Sequence, residues 1–407
     1  MKIGIVAGEA SGDLLGRGLI DALKARWPDA EFVGIAGPRM QAAGATSWYP
    51  MEKLAVRGYV EVLKNLRELI GIRRGLKARM LAERPALFIG IDAPDFNLAL
   101  ERSLKAAGIP TIHYVSPSLW AWRPERIHGI KAAVTRMLTI FPFEAGIYEK
   151  AGIPVSYVGH PIADAVPMKS QRAEAREQLK LKQDGLYFAL LPGSRQTELD
   201  YHTDLFIDTI KRLARRYPDA RFLVPLATRE TRAFFDEARY VRGARDLPIQ
   251  ILFGHSQLAL AAADVALVAS GTATLEAALL RCPHVITYRM SAVTWRMMKK
   301  KALLPYVGLP NILSTQFIVP EILQDDATPE NLEQAISNLW QHARAREAMI
   351  EVFDDLHASL RQDNPARLRD VFAQWLGPGR ALSADAGASG DPAVFRGGPR
   401  HDNAARA

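Results

Sequence analysis

The chain has 407 residues, of which 48% are hydrophobic, and it carries a formal net charge of +8. A chain of this length rarely folds around one hydrophobic core, so its length predicts two domains. The single cysteine excludes an internal disulfide, and no window approaches the roughly 20 apolar residues that a membrane-spanning helix needs.

The N-terminus and the charge indicate where the chain acts and what it meets. Lys2–Val6 begins a strand pattern without a basic leader or a cleavable apolar segment, so we expect a cytoplasmic protein. The positive charge favours an anionic partner such as a nucleotide phosphate, a phospholipid headgroup or a nucleic acid. Charge alone does not choose among these partners.

Short apolar runs alternate with helical patterns along the chain. The strands predicted in the first half are Ile3–Ala7, Glu31–Ala36, Ala86–Ile91, Thr111–Val115, Met137–Phe141 and Val155–Val158. Those predicted in the second half are Leu186–Leu191, Arg221–Pro225, Ile249–Phe253, Val265–Ala269 and His284–Tyr288. The alternation predicts an α/β fold of two doubly wound, Rossmann-like domains with parallel sheets.

Turn and helix signals divide the chain further. A turn at Gly159–Asp164 and a charged helical pattern at Gln171–Lys182 place the domain boundary near Pro167. Residues 1–166 and 167–376 are therefore the predicted domains, and the second ends in helices Glu330–His342, Arg344–Arg361 and Asn364–Leu376. Residues 377–407 are rich in Gly, Ala, Pro and Arg, and this composition predicts a disordered tail.

The segment Leu190–Glu198 follows the first predicted strand of the second domain. Open α/β sheets bind ligands beyond the carboxyl ends of their strands. Gly193 allows a sharp turn there, and Ser194 and Arg195 can hydrogen-bond an oxyanion. Arg195 is either a solvated surface arginine or the cation that neutralises a diphosphate leaving group.

A second segment, Ser270–Glu276, follows the strand Val265–Ala269. Its small residues open a helix, whose backbone N–H groups and positive dipole end can hold a diphosphate. The residues at this helix start are Ser270, Gly271, Thr272 and Ala273. Glu276 can accept two hydrogen bonds from ribose hydroxyls. The alternative is that this segment is only a capping box. Its occurrence in the same predicted domain as Arg195 favours a nucleoside diphosphate site.

Motifs for metal and for ATP are missing from the sequence. There is no P-loop, no Asp-x-Asp and no His or Cys spacing typical of a metal site. We therefore expect no metal and no cofactor, with Arg195 and the helix start at Ser270–Ala273 neutralising the diphosphate.

Polar groups also follow strands in the first half. Asp92 and Asp95 stand at the end of a buried strand, where a partly desolvated carboxylate can act as a general base. Asp92 is the favoured base, and Asp95 is favoured as a helix cap. The candidates for binding a sugar acceptor are Glu9, Ser11, Asp13, Ser116, Trp120 and His160. His113 lies inside a strand, so a core role suits it as well as ligand binding.

Taken together, these motifs resemble one known family. They are Ala7–Asp13, Gly90–Phe96, His113–Trp122, Leu190–Arg195, Ser270–Ala273 and Leu309–Asn311. In this order they are similar to the lipid-A-disaccharide synthases over roughly Lys2 to Leu376. The resemblance implies a GT-B glycosyltransferase, with two domains facing a central cleft.

The resemblance also implies a reaction and partners. The chain would transfer 2,3-diacylglucosamine from UDP-2,3-diacylglucosamine to the 6-hydroxyl of 2,3-diacylglucosamine 1-phosphate, inverting the anomeric carbon and releasing UDP. Asp92 matches the proposed base of the family. Arg195 and Asn311 match positions important for activity on the donor side, so the resemblance implies that Asn311 contacts UDP. Family members form homodimers, and no nucleic-acid partner is expected.

Two segments have the composition of a membrane-contacting surface. Tyr59–Leu81 sets Val60, Leu63, Leu66 and Ile70 beside basic residues, and Trp295–Leu304 is short, basic and apolar. The first is equally consistent with a helix packed on the core. Acylated substrates favour an enzyme at the cytoplasmic face of the inner membrane.

Two other functions remain open at this point. A UDP-sugar 2-epimerase uses the same two-domain scaffold and a similar UDP site, but it needs only one sugar. A basic nucleic-acid-binding protein would account for the charge, although the basic residues are scattered and form no recognised module.

Overall fold

The structure, a computed structural model, describes residues 1–54, 59–121 and 123–379. Trp122 and residues 380–407 of the predicted tail lie outside these ranges, as do the side chains of Val60 and Leu63. Contacts divide the chain into two units. The first is Met1–Asp164 joined by the described residues from Leu360 to Gly379, and the second is Ala165–Ser359.

Each unit is built on a parallel sheet. The first sheet contains β1 (Lys2–Ala7), β2 (Glu31–Ile35), β3 (Ala45–Ser47), β4 (Leu87–Ile91), β5 (Thr111–Tyr114), β6 (Arg136–Thr139) and β7 (Val155–Tyr157). The second contains β8 (Tyr187–Leu191), β9 (Arg221–Leu226), β10 (Ile249–Phe253), β11 (Val265–Ala269), β12 (His284–Tyr288) and β13 (Glu321–Leu323). Their orders are β3-β2-β1-β4-β5-β6-β7 and β10-β9-β8-β11-β12-β13, the doubly wound pattern that the sequence predicts.

Helices connect the strands. They are α1 (Ala10–Arg26), α2 (Pro38–Ala42), α3 (Tyr59–Glu83), α4 (Pro94–Ala106), α5 (Ile127–Ala133), α6 (Ala145–Lys150), α7 (Pro161–Ala165), α8 (Arg172–Gln178), α9 (Gln196–Arg216), α10 (Arg229–Val241), α11 (Ser256–Ala262), α12 (Thr272–Leu279), α13 (Ala292–Lys301), α14 (Leu309–Ser314), α15 (Pro329–Gln341), α16 (Ala343–Leu360) and α17 (Asn364–Leu376). In the described chain, none is long and apolar enough to cross a membrane.

The predicted strands are all present, with ends that differ by at most a residue or two. Their runs of Val, Ile, Leu and Phe are buried at nearly every position, as parallel strands covered on both faces require. Two strands were not predicted, β3 and β13, which are edge strands of 3 residues each. Runs this short carry too little periodicity to be recognised.

Helix α9 shows how the core of the second unit forms. Its Leu199, Phe206, Ile210 and Leu213 recur at helical spacing on one face and are 0% exposed. Burying each such side chain contributes roughly 1.5–3 kcal/mol. The helix ends at Arg216, just before Tyr217 and a proline, because the residue before proline is disfavoured in the helical conformation.

The C-terminal helices do not all stay with the second unit. Helix α17, which the sequence analysis assigned to residues 167–376 of the second domain, packs on α1 of the first unit. The carboxylate of Asp164 accepts hydrogen bonds from the backbone of Gln362, Asp363 and Asn364, which anchors the start of α17. The first boundary, predicted after residue 166, lies after Asp164.

Candidate functional site

A cavity of about 380 Å³ opens at the carboxyl edge of the second sheet. Its walls come from the ends of β8, β9, β11 and β12 and from the turns that follow β8, β10 and β11. The donor-site residues predicted from sequence that line it are Gly193, Ser194, Arg195, Ser270, Gly271, Thr272, Ala273 and Glu276. The volume falls within the range of small-molecule sites.

The N-terminus of α12 is one wall of this cavity. Gly271 is its N-cap residue, and no side chain caps the helix, so the capping box that was the alternative to a binding site does not form here. Thr274 turns inward instead, and its hydroxyl donates to the carbonyl of Gly271 at 2.8 Å. The backbone N–H groups of Thr272 and Ala273 thus lie at an uncapped helix start on the cavity wall, which suits an anionic ligand.

Glu276 lies one turn further along α12. Burial raises the pKa of its carboxyl to about 7. A carboxylate next to a helix start that can hold phosphate is in position to accept hydrogen bonds from neighbouring hydroxyls of the same ligand. This arrangement suits the ribose and diphosphate of a nucleotide.

The turn after β8 is built around Glu198. Gly193 has φ +131°, and a Cβ there would lie 2.6 Å from the Cβ of Glu198, so both the conformation and the space require glycine. The Glu198 carboxylate accepts from the backbone N–H groups of Ser194 at 2.8 Å and Arg195 at 3.3 Å. These two amides are therefore occupied, and the turn offers a ligand mainly the half-exposed guanidinium of Arg195.

Asn311 has a different role from the ligand contact that the sequence analysis expected. It is 0% exposed and does not line the cavity. Its Nδ2 donates to Val319 and Glu321, and its Oδ1 accepts from the backbone of Ile318 and Val319. With its amide saturated, Asn311 secures the segment that leads into β13.

Some residues of the cavity were not predicted. Tyr288 at the end of β12, Gly254 and Ser256 after β10, and Glu198 also line it. The rule that ligands bind beyond strand ends would have found Tyr288, since β12 itself was predicted. Glu198 was included in its motif without a role, because its contact with Ser194 depends on a fold-back that sequence does not show.

In the first unit, Asp92 ends β4 in a strained turn. Asp92 has φ +50° and Ala93 has φ +43°, and two successive left-handed residues other than glycine are rare. Val115, at the end of the neighbouring β5, has φ +81°, an outlier for a β-branched residue. Such strain collects at functional sites, and here it lies at the sheet edge where the sequence places the base.

Asp95 lies in the first turn of α4, where Ala93 is the N-cap residue and no side chain caps the helix. The carboxylate of Asp95 is exposed and pairs with Arg126. It is therefore a helix-start acid with an ion-pair partner rather than the capping residue expected from sequence.

The acceptor candidates of α1 differ in their surroundings. Glu9 is the N-cap residue of α1 and Ser11 is exposed in the first turn. Asp13, by contrast, is 2% exposed, and its carboxylate accepts from the backbone N–H groups of Arg39 and Met40 at 3.0 Å. The structure thus gives Asp13 the role of holding the start of α2.

Ser116 and Trp120 are engaged within the first unit. The Ser116 hydroxyl lies 2.7 Å from the hydroxyl of Tyr148, and the indole N–H of Trp120 donates to Glu144 at 3.0 Å. Glu144 is 1% exposed, and burial raises its pKa to about 7. Glu144 was not predicted from the sequence because nothing in its local pattern reveals this burial.

His113 and His160, the two histidines weighed as candidates in the first unit, both lie in its interior. His160 is 4% exposed, stacks on Phe141 with ring centroids 5.7 Å apart, and accepts at Nδ1 from the backbone of Ile162. Burial lowers its pKa to about 4. His113 is a core residue whose Nδ1 lies 2.8 Å from a carboxylate oxygen of buried Glu101. Burial raises the pKa of that carboxyl.

Comparison with known proteins gives a consistent result. Residues 3–372 match the family model described as lipid-A-disaccharide synthetase. The lipid-A-disaccharide synthase of Dechloromonas aromatica is 56% identical over 377 residues, which cover 92% of this chain and 99% of the relative. The lipid-A-disaccharide synthase of Chromobacterium violaceum is 55% identical over 367 residues, which cover 90% of this chain and 95% of the relative.

Solved structures share the fold at low identity. The UDP-GlcNAc 2-epimerase from Neisseria meningitidis bound to UDP-GlcNAc aligns with a TM-score of 0.61 at 13% identity, covering 92% of this chain and 99% of that chain. MurG of Acinetobacter baumannii aligns with a TM-score of 0.54 at 15% identity, covering 92% of this chain and 99% of that chain. CalG4, the calicheamicin glycosyltransferase, aligns with a TM-score of 0.57 at 14% identity, covering 92% of this chain and 98% of that chain. These similarities show the GT-B type of fold and do not choose between transferase and epimerase.

Proposed function

The chain belongs to the lipid-A-disaccharide synthase family, and we propose that it transfers 2,3-diacylglucosamine from UDP-2,3-diacylglucosamine to 2,3-diacylglucosamine 1-phosphate. It is a glycosyltransferase of lipid A biosynthesis. The observation that carries the proposed donor is the cavity that joins an uncapped helix start, Glu276 and Arg195. The second unit is then the donor-binding unit and the first unit the acceptor-binding one.

The donor is held by charge and by hydrogen bonds. The backbone N–H groups at Thr272 and Ala273 bind the diphosphate together with the dipole of α12, and the ionised Glu276 accepts from the ribose hydroxyls. The guanidinium of Arg195, which lies 3.3 Å from the Glu198 carboxylate in the structure, turns to the diphosphate as the bond between the sugar and UDP breaks. Its positive charge then stabilises the leaving group, which departs with the bonding electrons.

The acceptor is activated by Asp92. Its carboxylate removes the proton of the acceptor 6-hydroxyl, whose oxygen attacks the anomeric carbon from the face opposite UDP and inverts it. The hydrogen bond that Asp92 accepts from the side chain of Asn97 goes to its backbone carbonyl and does not use its carboxylate. The strained backbone at Asp92 supports this assignment.

The acylated substrates require contact with a lipid surface. Helix α13 and the chain that follows form a basic apolar surface, which we define by Val293, Met297, Met298, Leu303 and Leu304 with Lys299, Lys300 and Lys301. The five apolar side chains are between 36% and 68% exposed. This surface suits anionic lipid headgroups over an apolar boundary, so we propose that the enzyme lies peripherally on the cytoplasmic face of the inner membrane.

UDP release in a two-substrate assay tests the reaction. Purified protein is mixed with UDP-2,3-diacylglucosamine, and UDP is measured with and without 2,3-diacylglucosamine 1-phosphate. We expect UDP and a disaccharide to form together, and only with acceptor. Isomerisation of the donor sugar without acceptor would instead favour the epimerase, and neither product would contradict the proposed substrates.

A further inference from the structure

His202, a buried residue of α9, forms hydrogen bonds with two separate backbone segments. Its Nδ1 lies 2.8 Å from the carbonyl oxygen of Pro192, and its Nε2 lies 2.9 Å from the backbone nitrogen of Arg289. A carbonyl can only accept and a backbone N–H can only donate. The ring is therefore neutral, with its proton on Nδ1, and burial lowers its pKa in keeping with that state.

The two segments that His202 joins flank the α12 start. Pro192 follows β8 and precedes Gly193, whereas Arg289 follows β12 directly after Tyr288. In the sheet, β11 lies between β8 and β12, and the turn after β11 leads into α12. The His202 ring thus connects the walls on either side of the helix start and spans the strand between them.

The ring also touches a cavity wall directly. His202 meets Tyr288 with ring centroids 5.0 Å apart and an interplanar angle of 65°, an edge-to-face contact. Tyr288 and Gly193 both line the cavity, but His202 does not. Its influence on a ligand must therefore pass through the two turns that it holds.

We propose that His202 is a positioning residue that fixes the turns after β8 and β12 at the separation a nucleoside diphosphate requires. The inference rests on the proposed donor site in this unit. If His202 is lost, the turn carrying Arg195 and the wall carrying Tyr288 are no longer tied to each other. Ligand binding must then supply the ordering that the imidazole provides in advance.

Three substitutions separate the two hydrogen bonds. His202→Asn can still donate to Pro192 from the position of Nδ1, and His202→Gln can still accept from Arg289 at the position of Nε2. His202→Phe fills the space and makes neither bond. We expect the Kd for UDP, measured by titration calorimetry, to rise about tenfold or more in the Phe variant and less in the other two.

Kinetics separate positioning from a general loss of stability. In His202→Phe we expect the KM for the UDP-sugar to rise while the KM for the acceptor stays unchanged. His284→Phe is the matched control. His284 is also buried in this unit, and its Nδ1 also lies near a backbone carbonyl, that of Cys282 at 2.9 Å, but it packs on Phe353 and does not line the cavity. The His284→Phe substitution should lower thermal stability without changing the Kd for UDP.

Arg195→Ala distinguishes failure of this inference from failure of the proposed donor site. If the wild type binds UDP and Arg195→Ala does not, the donor site stands. A His202→Phe variant that then binds UDP as tightly as the wild type would overturn the positioning role. If His202→Phe does not fold, His202→Asn and His202→Gln are compared with the wild type instead. A wild-type Kd for UDP and a wild-type KM for the UDP-sugar in both of these variants would also overturn the positioning role.

Discussion

The side-chain amide of Asn97 donates a hydrogen bond to the backbone carbonyl of Asp92, with the nitrogen and oxygen 2.9 Å apart. Asn97 is 0% exposed and lies in the first turns of α4, so this bond supports the strained turn from within the core. The backbone of Asp92 is thereby held in its left-handed conformation without using the Asp92 carboxylate.

The first prediction concerns this carboxylate. Asp92→Asn keeps the shape of the side chain but removes its ability to take a proton, so kcat should fall by about 10²–10⁴-fold. The Kd for UDP should not change, because the proposed UDP site belongs to the other unit. Steady-state kinetics and calorimetry on the folded variant check both values.

Asp95→Asn is the matched control for Asp92→Asn. Asp95 lies three residues further along, is 82% exposed and pairs with Arg126, and such exposed pairs contribute little to stability. The Asp95→Asn variant should keep near wild-type turnover. Comparable losses in both variants, or near wild-type turnover in Asp92→Asn, would remove Asp92 as the base.

A second prediction concerns Gly90, which packs closely against the buried side chains of Glu101 and Asn97. A Cβ at Gly90 would lie 2.1 Å from Oε1 of Glu101 and 3.0 Å from Cβ of Asn97. Gly90→Ala therefore forces a buried carboxyl and an amide to move, and should lower the free energy of unfolding by about 1–3 kcal/mol. Denaturant unfolding measures the change.

Gly129→Ala provides the opposite case. Gly129 lies inside α5, and a Cβ there would have no atom within 4 Å. Alanine is the better helix former, so this variant should gain about 0.5–1 kcal/mol. A Gly90→Ala protein as stable as Gly129→Ala would show that the close approach of Glu101 is relieved without cost.

A third prediction follows from the pKa of Glu276, which burial raises to about 7. The protonated carboxyl below this pH is a poor acceptor for two ribose hydroxyls, and the carboxylate above it is a good one. The affinity of the wild type for UDP should therefore rise between about pH 6 and about pH 8. Calorimetry over this range measures the trend.

Glu276→Gln isolates the contribution of that carboxyl. UDP titrates in this range too, but equally in both proteins, so only the difference between them reports Glu276. At about pH 8 the Glu276→Gln variant should bind UDP more weakly than the wild type. Between about pH 6 and about pH 8 its affinity for UDP should rise less than that of the wild type. Because ionising a buried carboxyl opposes folding as the pH increases, the variant should be at least as stable as the wild type at about pH 8. Parallel pH profiles would contradict the ribose role.

A fourth prediction concerns the basic apolar surface. Replacing Val293 and Met297 by Asp puts negative charge where we expect anionic headgroups, so binding to phosphatidylglycerol vesicles should fall severalfold in a flotation assay. Val241→Asp is the control, since Val241 is 75% exposed on α10 of the same unit, outside this surface. Equal losses in both proteins, or none, would place the lipid contact elsewhere.

Much of the donor site could be predicted from sequence because it is local. The strand Val265–Ala269 and the small residues after it are adjacent in the chain, and ligands bind where parallel strands end. Arg195 after β8 and Asp92 after β4 could be predicted for the same reason. Each of these residues occupies a position fixed by the strand that precedes it.

Other roles were decided by partners far along the chain. Asp13 holds the backbone of Arg39 and Met40, and Asn311 is saturated by residues up to ten positions away. A sequence shows that such side chains are polar, but it does not show which backbone groups the fold brings to them. A ligand contact and a structural contact therefore look alike before folding.

The positions of the strands along the chain and the donor motifs are thus properties of the sequence itself, since runs of apolar residues and the small residues after them act locally. The bond from His202 to Arg289 joins positions 87 residues apart. It exists only because the fold places β8 and β12 on either side of β11 and brings His202 of α9 close to the ends of both β8 and β12. Buried polar groups must find partners wherever the folded backbone provides them, so the tertiary structure alone decided how the walls of the cavity are held.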